Sequence, residues 1–173
     1  MRNRVATGIF DITLKMFLRD NFVHSDMHAG NAIYDEKRDL ITLIDAGMAT
    51  ELPQDVLWKF GDFIRAVVLG DDVKLASVIY HFHDEVSSKQ PKPDAVKLHQ
   101  EVKNTLDRWR TKGYPPRPGV PTDCTIGDVM ADVFGSISKL GVVMRSDVSV
   151  VMSSMQISEG LIIGLDPTFD IIG

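Results

Sequence analysis

The sequence predicts an α+β protein that is mainly α, with one short β-hairpin followed by an all-helical body. Three observations predict it. Apolar residues return every three or four positions over six separate stretches, the spacing of helices with one buried face. Two brief runs rich in β-formers, residues 32–34 and 40–44, flank the polar tip 35–39 and read as a hairpin. The 173 residues are 44% hydrophobic and 25% charged, an ordinary globular composition, long enough for one core, so residues 1–173 are read as a single unit.

The first helix is expected from Val5 to about Arg19, with Ile9, Ile12 and Met16 at core spacing and Phe10, Phe17 and Leu18 widening the stripe. Residues 21–31 break that pattern and lead into the hairpin. Pro53 then marks a helix start, with Val56, Phe60, Phe63 and Val67 following until Gly70. Asp71 or Asp72 can cap the next helix, and another is expected over about 94–112. The Gly/Pro-rich run 113–121 cannot be helical. Two more helices are expected near 125–140 and 145–163. Trp58 and Trp109 fall at core-like helix positions.

Composition excludes several classes. Cys124 is the only cysteine, so no disulfide scaffold exists. The balance of 19 basic to 24 acidic residues, a net charge of −5, opposes nucleic-acid binding, and no Lys/Arg cluster reverses it. No run reaches the ~18 apolar residues of a spanning helix. The densest segment, 148–164, carries Ser153, Ser154, Gln156, Ser158 and Glu159 and reads as a buried or amphipathic helix. Arg2 and Arg4 could open a transit peptide, but Asp11, Asp20 and the helical spacing favour a structural helix.

Polar residues crowd an apolar context at His24-Ser25-Asp26-Met27-His28-Ala29-Gly30-Asn31 and again at Leu43-Ile44-Asp45-Ala46-Gly47. Short strands hold both loops, so Asp26, Asn31 and Asp45 can converge. Two carboxylates and an amide oxygen suit Mg²⁺, with phosphate and water completing the shell. The spacing follows phosphoryl-transfer logic: Asp26 orients the attacking hydroxyl or water or accepts its proton, and Asn31 and Asp45 coordinate metal. Gly47 lets the chain turn away.

The pair H-x-D-x-H-x-G-N and D-x-G resembles the kinase-like superfamily, and most closely the AarF/UbiB family of atypical kinases. That family's loop usually reads H-A-D-x-H-P-G-N, and Ser25 and Ala29 are the departures. Residues 14–18 before the loop resemble the family's preceding helix, and Glu159-Gly160 with Leu165-Asp166-Pro167 resemble its closing element. Asp45-Ala46-Gly47, with Ala in the usual Phe position, is similar to a mitochondrial subgroup. The resemblance implies a kinase-like C-lobe carrying the metal and catalytic half. It implies Mg²⁺ and ATP or ADP, a role in coenzyme Q (ubiquinone) biosynthesis, lipid-like or coenzyme Q pathway partners and a mitochondrial location. No G-x-G-x-x-G, V-A-I-K or K-x-G-Q motif occurs, so the expectation is an absent N-lobe, supplied by a missing segment or a partner. A chain lacking it is expected to be inactive alone, with an open face around His24–Asp45 that self-associates unless covered.

Each site residue has a plainer alternative. Asp26 and Asn31 could be turn residues, a reading the joint spacing with Asp45 outweighs. His24 is expected to pack beneath the loop and bond backbone near Asp45, with Gly30 and Gly47 as structural support. His28 stands as a catalytic candidate that touches a phosphate or braces Asp26. A non-catalytic scaffold or pseudokinase is the alternative from another class. A metal-dependent phosphohydrolase is a third, built on His24, Asp26 and His28 with His81, His83 and Asp84, which a helix C-terminus explains equally well.

Overall fold

The computed structural model describes residues 1–45, 47–115 and 124–169. The architecture is α+β and mainly α, with the expected hairpin and helical body. The described residues form two compact units, Met1–Pro53 with the chain from Asp147 onward, and Gln54–Ser146.

The first unit opens with α1 (Arg2–Lys15), which continues as one wider π-type turn over Met16–Asp20. Asn21, at φ 47°, stops it in the left-handed conformation that Asn tolerates at helix ends. Val23–His24 (β1) pairs antiparallel with Ala49–Thr50 (β4), and Ala32–Asp35 (β2) pairs with Leu40–Leu43 (β3). The β2–β3 pair is the expected hairpin. The β1–β4 pair was not expected, because two-residue strands are too short to show a period.

At the hairpin tip, Asp35 Oδ1 accepts from the N–H groups of Lys37 (3.0 Å) and Arg38 (3.2 Å), a side-chain mimic of a backbone turn. Register places Ala32 opposite Leu43 and Tyr34 opposite Ile41. Ala32, Ile41 and Leu43 rest on the core of Ala6, Ile9, Met16, Met27 and Ile162. A Cβ at Gly8 would stand 2.5 Å from Ile41 Cδ1, so the hairpin seats on α1 where the helix has no side chain.

Ser146–Leu165 (α7) completes this unit, burying Val148, Val151, Met152, Ser154, Ser158 and Ile162 at helical spacing. Asn3 Nδ2 donates to Asp166 at 2.7 Å, and Phe10 meets Phe169 edge-on, ring centroids 5.4 Å apart. By length and composition alone α7 is long and apolar enough to cross a membrane, although a third of its apolar window is buried. The sequence reading counted its serines as interruptions. Over 20 residues they do not offset the valines, isoleucines and methionines around them.

The second unit packs α2 (Gln54–Leu69), α3 (Asp72–Phe82), α5 (Ala95–Arg110) and α6 (Ile126–Ser138) as successive neighbours. Phe63 is at its centre, within 6.4 Å of the rings of Phe60, Phe82 and Phe134. Caps delimit the helices: Asp71 accepts from Lys74 N, Asp94 from Val96 N and Lys97 N, and Thr125 from Asp128 N. A single turn, α4 (Glu85–Ser88), capped by Asp84, interrupts the polar stretch before α5. Trp58 is 75% exposed, contrary to its expected core position, because its helix buries Val56, Phe60 and Phe63 instead. Trp109 is part-buried and donates to Asp132 at 3.0 Å. Most of the Gly/Pro-rich run lies outside the described residues.

Candidate functional site

The loop between β1 and β2 alternates inward and outward side chains. His24, Met27 and Asn31 are buried, whereas Asp26 is half-exposed and His28, Ala29 and Gly30 are exposed. Met27 has no exposed surface and anchors the loop in the core beneath it. The apolar anchor turns the carboxylate of Asp26 toward solvent.

Hydrogen bonds then hold the loop in shape. The N–H of Asp26 donates to His24 Nδ1 at 3.2 Å, and His24 Nε2 lies 3.3 Å from the Ile44 carbonyl. An acceptor Nδ1 assigns the ring proton to Nε2, which therefore donates to Ile44. One buried imidazole thus ties Asp26 to the residue preceding Asp45. The N–H of Ile44 also donates to the Asn31 carbonyl at 2.9 Å, and Ser25 N–H to the Met48 carbonyl at 2.7 Å. The two motif loops are stitched together through their backbones.

His28 follows the same logic at the surface. The N–H of Gly30 donates to His28 Nδ1 at 2.9 Å, leaving Nε2 to carry the proton, 3.5 Å from Asp26 Oδ2. A Cβ on Gly30 would stand 2.8 Å from His28 Cε1. Only glycine permits that close approach. His28 Nε2 stands beside the Asp26 carboxylate while about half its own side chain stays in solvent.

Asn31 is 7% exposed, and its Nδ2 donates to the Asp26 carbonyl at 3.0 Å. With the nitrogen so engaged, Oδ1 has no hydrogen bond among the described residues, and it is not sealed from solvent. Asp45 is exposed and holds φ 57°, a left-handed conformation uncommon for a residue with a Cβ. Its Oδ1 lies 3.2 Å from where a Gly47 Cβ would sit. A larger residue at position 47 would crowd the carboxylate. Backbone held in such a conformation is a common mark of functional sites. Ala46, between them, lies outside the described residues.

The three residues the sequence singled out as ligands offer oxygen donors only: the Asp45 carboxylate, Asn31 Oδ1 and the Asp26 carboxylate. Among the described residues no group of three or more His, Cys, Asp or Glu side chains is placed to hold a metal. Hard oxygen donors in small number fit Mg²⁺, which takes one or two carboxylates and completes its shell with phosphate and water. When bound there, Mg²⁺ would neutralise charge on phosphate oxygens. Asp26 would accept a hydrogen bond from an attacking hydroxyl or water, with its carboxylate oriented by His28.

The histidines of the phosphohydrolase reading have other partners within their own units. His24 has both ring nitrogens engaged with backbone groups. Buried His83 accepts from Val143 N–H at 3.1 Å and reaches the Gln90 carbonyl at 3.3 Å. Asp84 caps α4, and the exposed His81 packs edge-on beside Tyr80 with centroids 6.2 Å apart.

Two contributors escaped the sequence reading. Asn21 grips the backbone of Leu52 at both ends, donating to its carbonyl at 2.8 Å and accepting its N–H at 3.0 Å. That clamp joins the chain entering the first loop to the chain leaving the second. An Asn just past a helical stripe was the available signal. Ser154 of α7 donates to the His24 carbonyl at 2.6 Å, and nothing in the local sequence marks it. Ile44 and Met48, 40% and 63% exposed, lie beside these loops.

Residues 1–79 match the family model of the ABC1 atypical kinase-like domain. The match spans both motif loops and ends within α3, and it supports a kinase-like family for the segment that carries them. No solved structure matches the chain.

Proposed function

We propose that this chain carries the catalytic loop and metal ligands of an atypical kinase or ATPase of the AarF/UbiB type, working with Mg²⁺ and ATP. Asp26 is the base or positioning group, His28 its brace, and Asn31 and Asp45 the Mg²⁺ ligands. The observation that carries the reading is the treatment of Asn31, whose amide nitrogen is tied to the Asp26 carbonyl so that Oδ1 is left for a cation.

The finer reading comes from motif resemblance. The D-A-G form of the second motif supports the mitochondrial subgroup, a role in coenzyme Q biosynthesis, and lipid-like or pathway-protein partners.

The test is a Mg·ADP thermal-shift and calorimetric titration of the full chain, with ATP turnover measured in parallel. A saturable shift lost in Asp45→Asn and Asn31→Ala, and kept in the surface variant Lys139→Ala, supports the reading. No shift and no turnover would leave a non-catalytic scaffold. Zn²⁺ binding lost in His28→Ala without nucleotide binding would replace it with a metal hydrolase.

A further inference from the structure

We infer that Ser154 is a positioning residue for this site, a hydroxyl on α7 that sets where His24, and through it both motif loops, come to rest. The inference rests on the kinase-like reading and deepens it. Ser154 is wholly buried, and its hydroxyl donates to the His24 carbonyl at 2.6 Å across 130 residues of sequence. Serines within helices commonly bond their own preceding turn. Here the proton goes to another element.

The recipient makes the bond consequential. His24 sits opposite Ala49 in the β1–β4 pair, receives the N–H of Asp26 on Nδ1 and donates from Nε2 to Ile44. A displacement of His24 therefore moves the Asp26 loop and the strand end before Asp45 together. Without the hydroxyl, the carbonyl of buried His24 loses this donor, a loss that moving the loop toward another donor would relieve.

An internal control lies one helical turn on. Ser158 is equally buried, but its Oγ has no hydrogen-bond partner among the described residues. Two buried serines thus share one face of α7, and only Ser154 is engaged with the site.

The experiment uses the full chain with ¹⁵N-labelled histidine, comparing Ser154→Ala, Ser154→Thr and Ser158→Ala. Imidazole nitrogen spectra read the His24 ring, and calorimetry reads Mg·ADP affinity. Ser154→Ala should move the His24 Nδ1 and Nε2 signals and weaken Mg·ADP by up to roughly tenfold, the fold-change that one lost hydrogen bond supplies. Ser154→Thr, which keeps the hydroxyl, should restore the His24 signals, and Ser158→Ala should change neither readout. Unmoved His24 signals in Ser154→Ala, or equal effects from Ser158→Ala, would overturn the inference. If the wild-type chain binds no Mg·ADP, the kinase reading fails while the His24 spectra still decide the role of Ser154. Should Ser154→Ala not fold, Ser154→Cys, a weaker donor of similar size, must shift the same signals or the inference falls.

Discussion

The backbone N–H of Asp26 donates to Nδ1 of His24 at 3.2 Å, so half-exposed Asp26 is held from below by a buried ring. The other nitrogen of that ring faces the Ile44 carbonyl. Replacing His24 with Ala removes both bonds and leaves a cavity. The expected cost is about 2–3 kcal/mol, read as a lower urea midpoint at unchanged slope. A variant within the error of the wild type would show that the ring is dispensable for the fold.

Asp45 separates stability from function. At φ 57° a glycine is unstrained, so Asp45→Gly should leave stability within about 0.5 kcal/mol of the wild type. Asp45→Val places a β-branched residue in the same conformation and should cost about 1–2 kcal/mol. Both should abolish any Mg·ADP response. Thermal melts with and without Mg·ADP distinguish the two effects, and an equal loss of stability in both variants would contradict the backbone argument.

Gly30→Ala tests the His28 brace. The new methyl would meet the His28 ring at under 3 Å, but that ring is half-exposed and can swing away. Stability should fall by less than about 1 kcal/mol, while the His28 imidazole loses its contact with the Gly30 N–H. Histidine NMR should show a changed His28 tautomer balance with little change at His24.

Asp72 gives the second unit an acid limit. Burial pushes its carboxyl upward, yet hydrogen bonds from Arg110 (2.9 Å) and His99 (2.9 Å) outweigh that and hold it below the usual carboxylate range. A depressed folded-state pKa contributes stability above the unfolded-state value, near 4, and that contribution is lost as pH falls through the folded-state value. Asp72→Asn should therefore lower the melting temperature at pH 7. It should also flatten the decline below about pH 4, where the wild type loses this contribution. Parallel acid-side curves for both proteins would refute the assignment.

Ser158 makes an opposite-signed prediction. Its Oγ is buried among the described residues without a partner, a desolvated hydroxyl that offsets part of the α7 packing. Ser158→Ala should be neutral or stabilising by up to about 1 kcal/mol, measured by denaturant midpoint. A clear destabilisation would mean that the hydroxyl has a partner in solution, such as an ordered water.

The legible parts of this protein are those written in local pattern. Helices declared themselves because apolar residues recur at 3.6-residue spacing and Asp71, Asp94 and Thr125 cap them. The hairpin declared itself through two β-rich runs around a turn-forming Asp35. The site was legible as a motif because Asp26, Asn31 and Asp45 carry chemistry that few other patterns of oxygen donors share. Trp58 was misjudged because a wide apolar stripe does not say which edge of it meets a neighbour. The β1–β4 pair and the Asn21 clamp on Leu52 were hidden because they join positions about 25 to 31 residues apart with almost no local signature.

By itself, then, the sequence determined the class of fold, the order of its elements and the residue types available for chemistry. Propensity, capping and ligand hardness are local properties. Only the tertiary structure decided which atoms are free to act. Asn31 Nδ2 is consumed by the Asp26 carbonyl while Oδ1 is not, and His28 spends Nδ1 on Gly30 while Nε2 turns to Asp26. Ser154 holds His24, while the Ser158 hydroxyl has no partner among the described residues. Hydrogen-bond capacity is a property of each residue, but its allocation is settled by which groups are buried together. That depends on contacts between segments that no local pattern records.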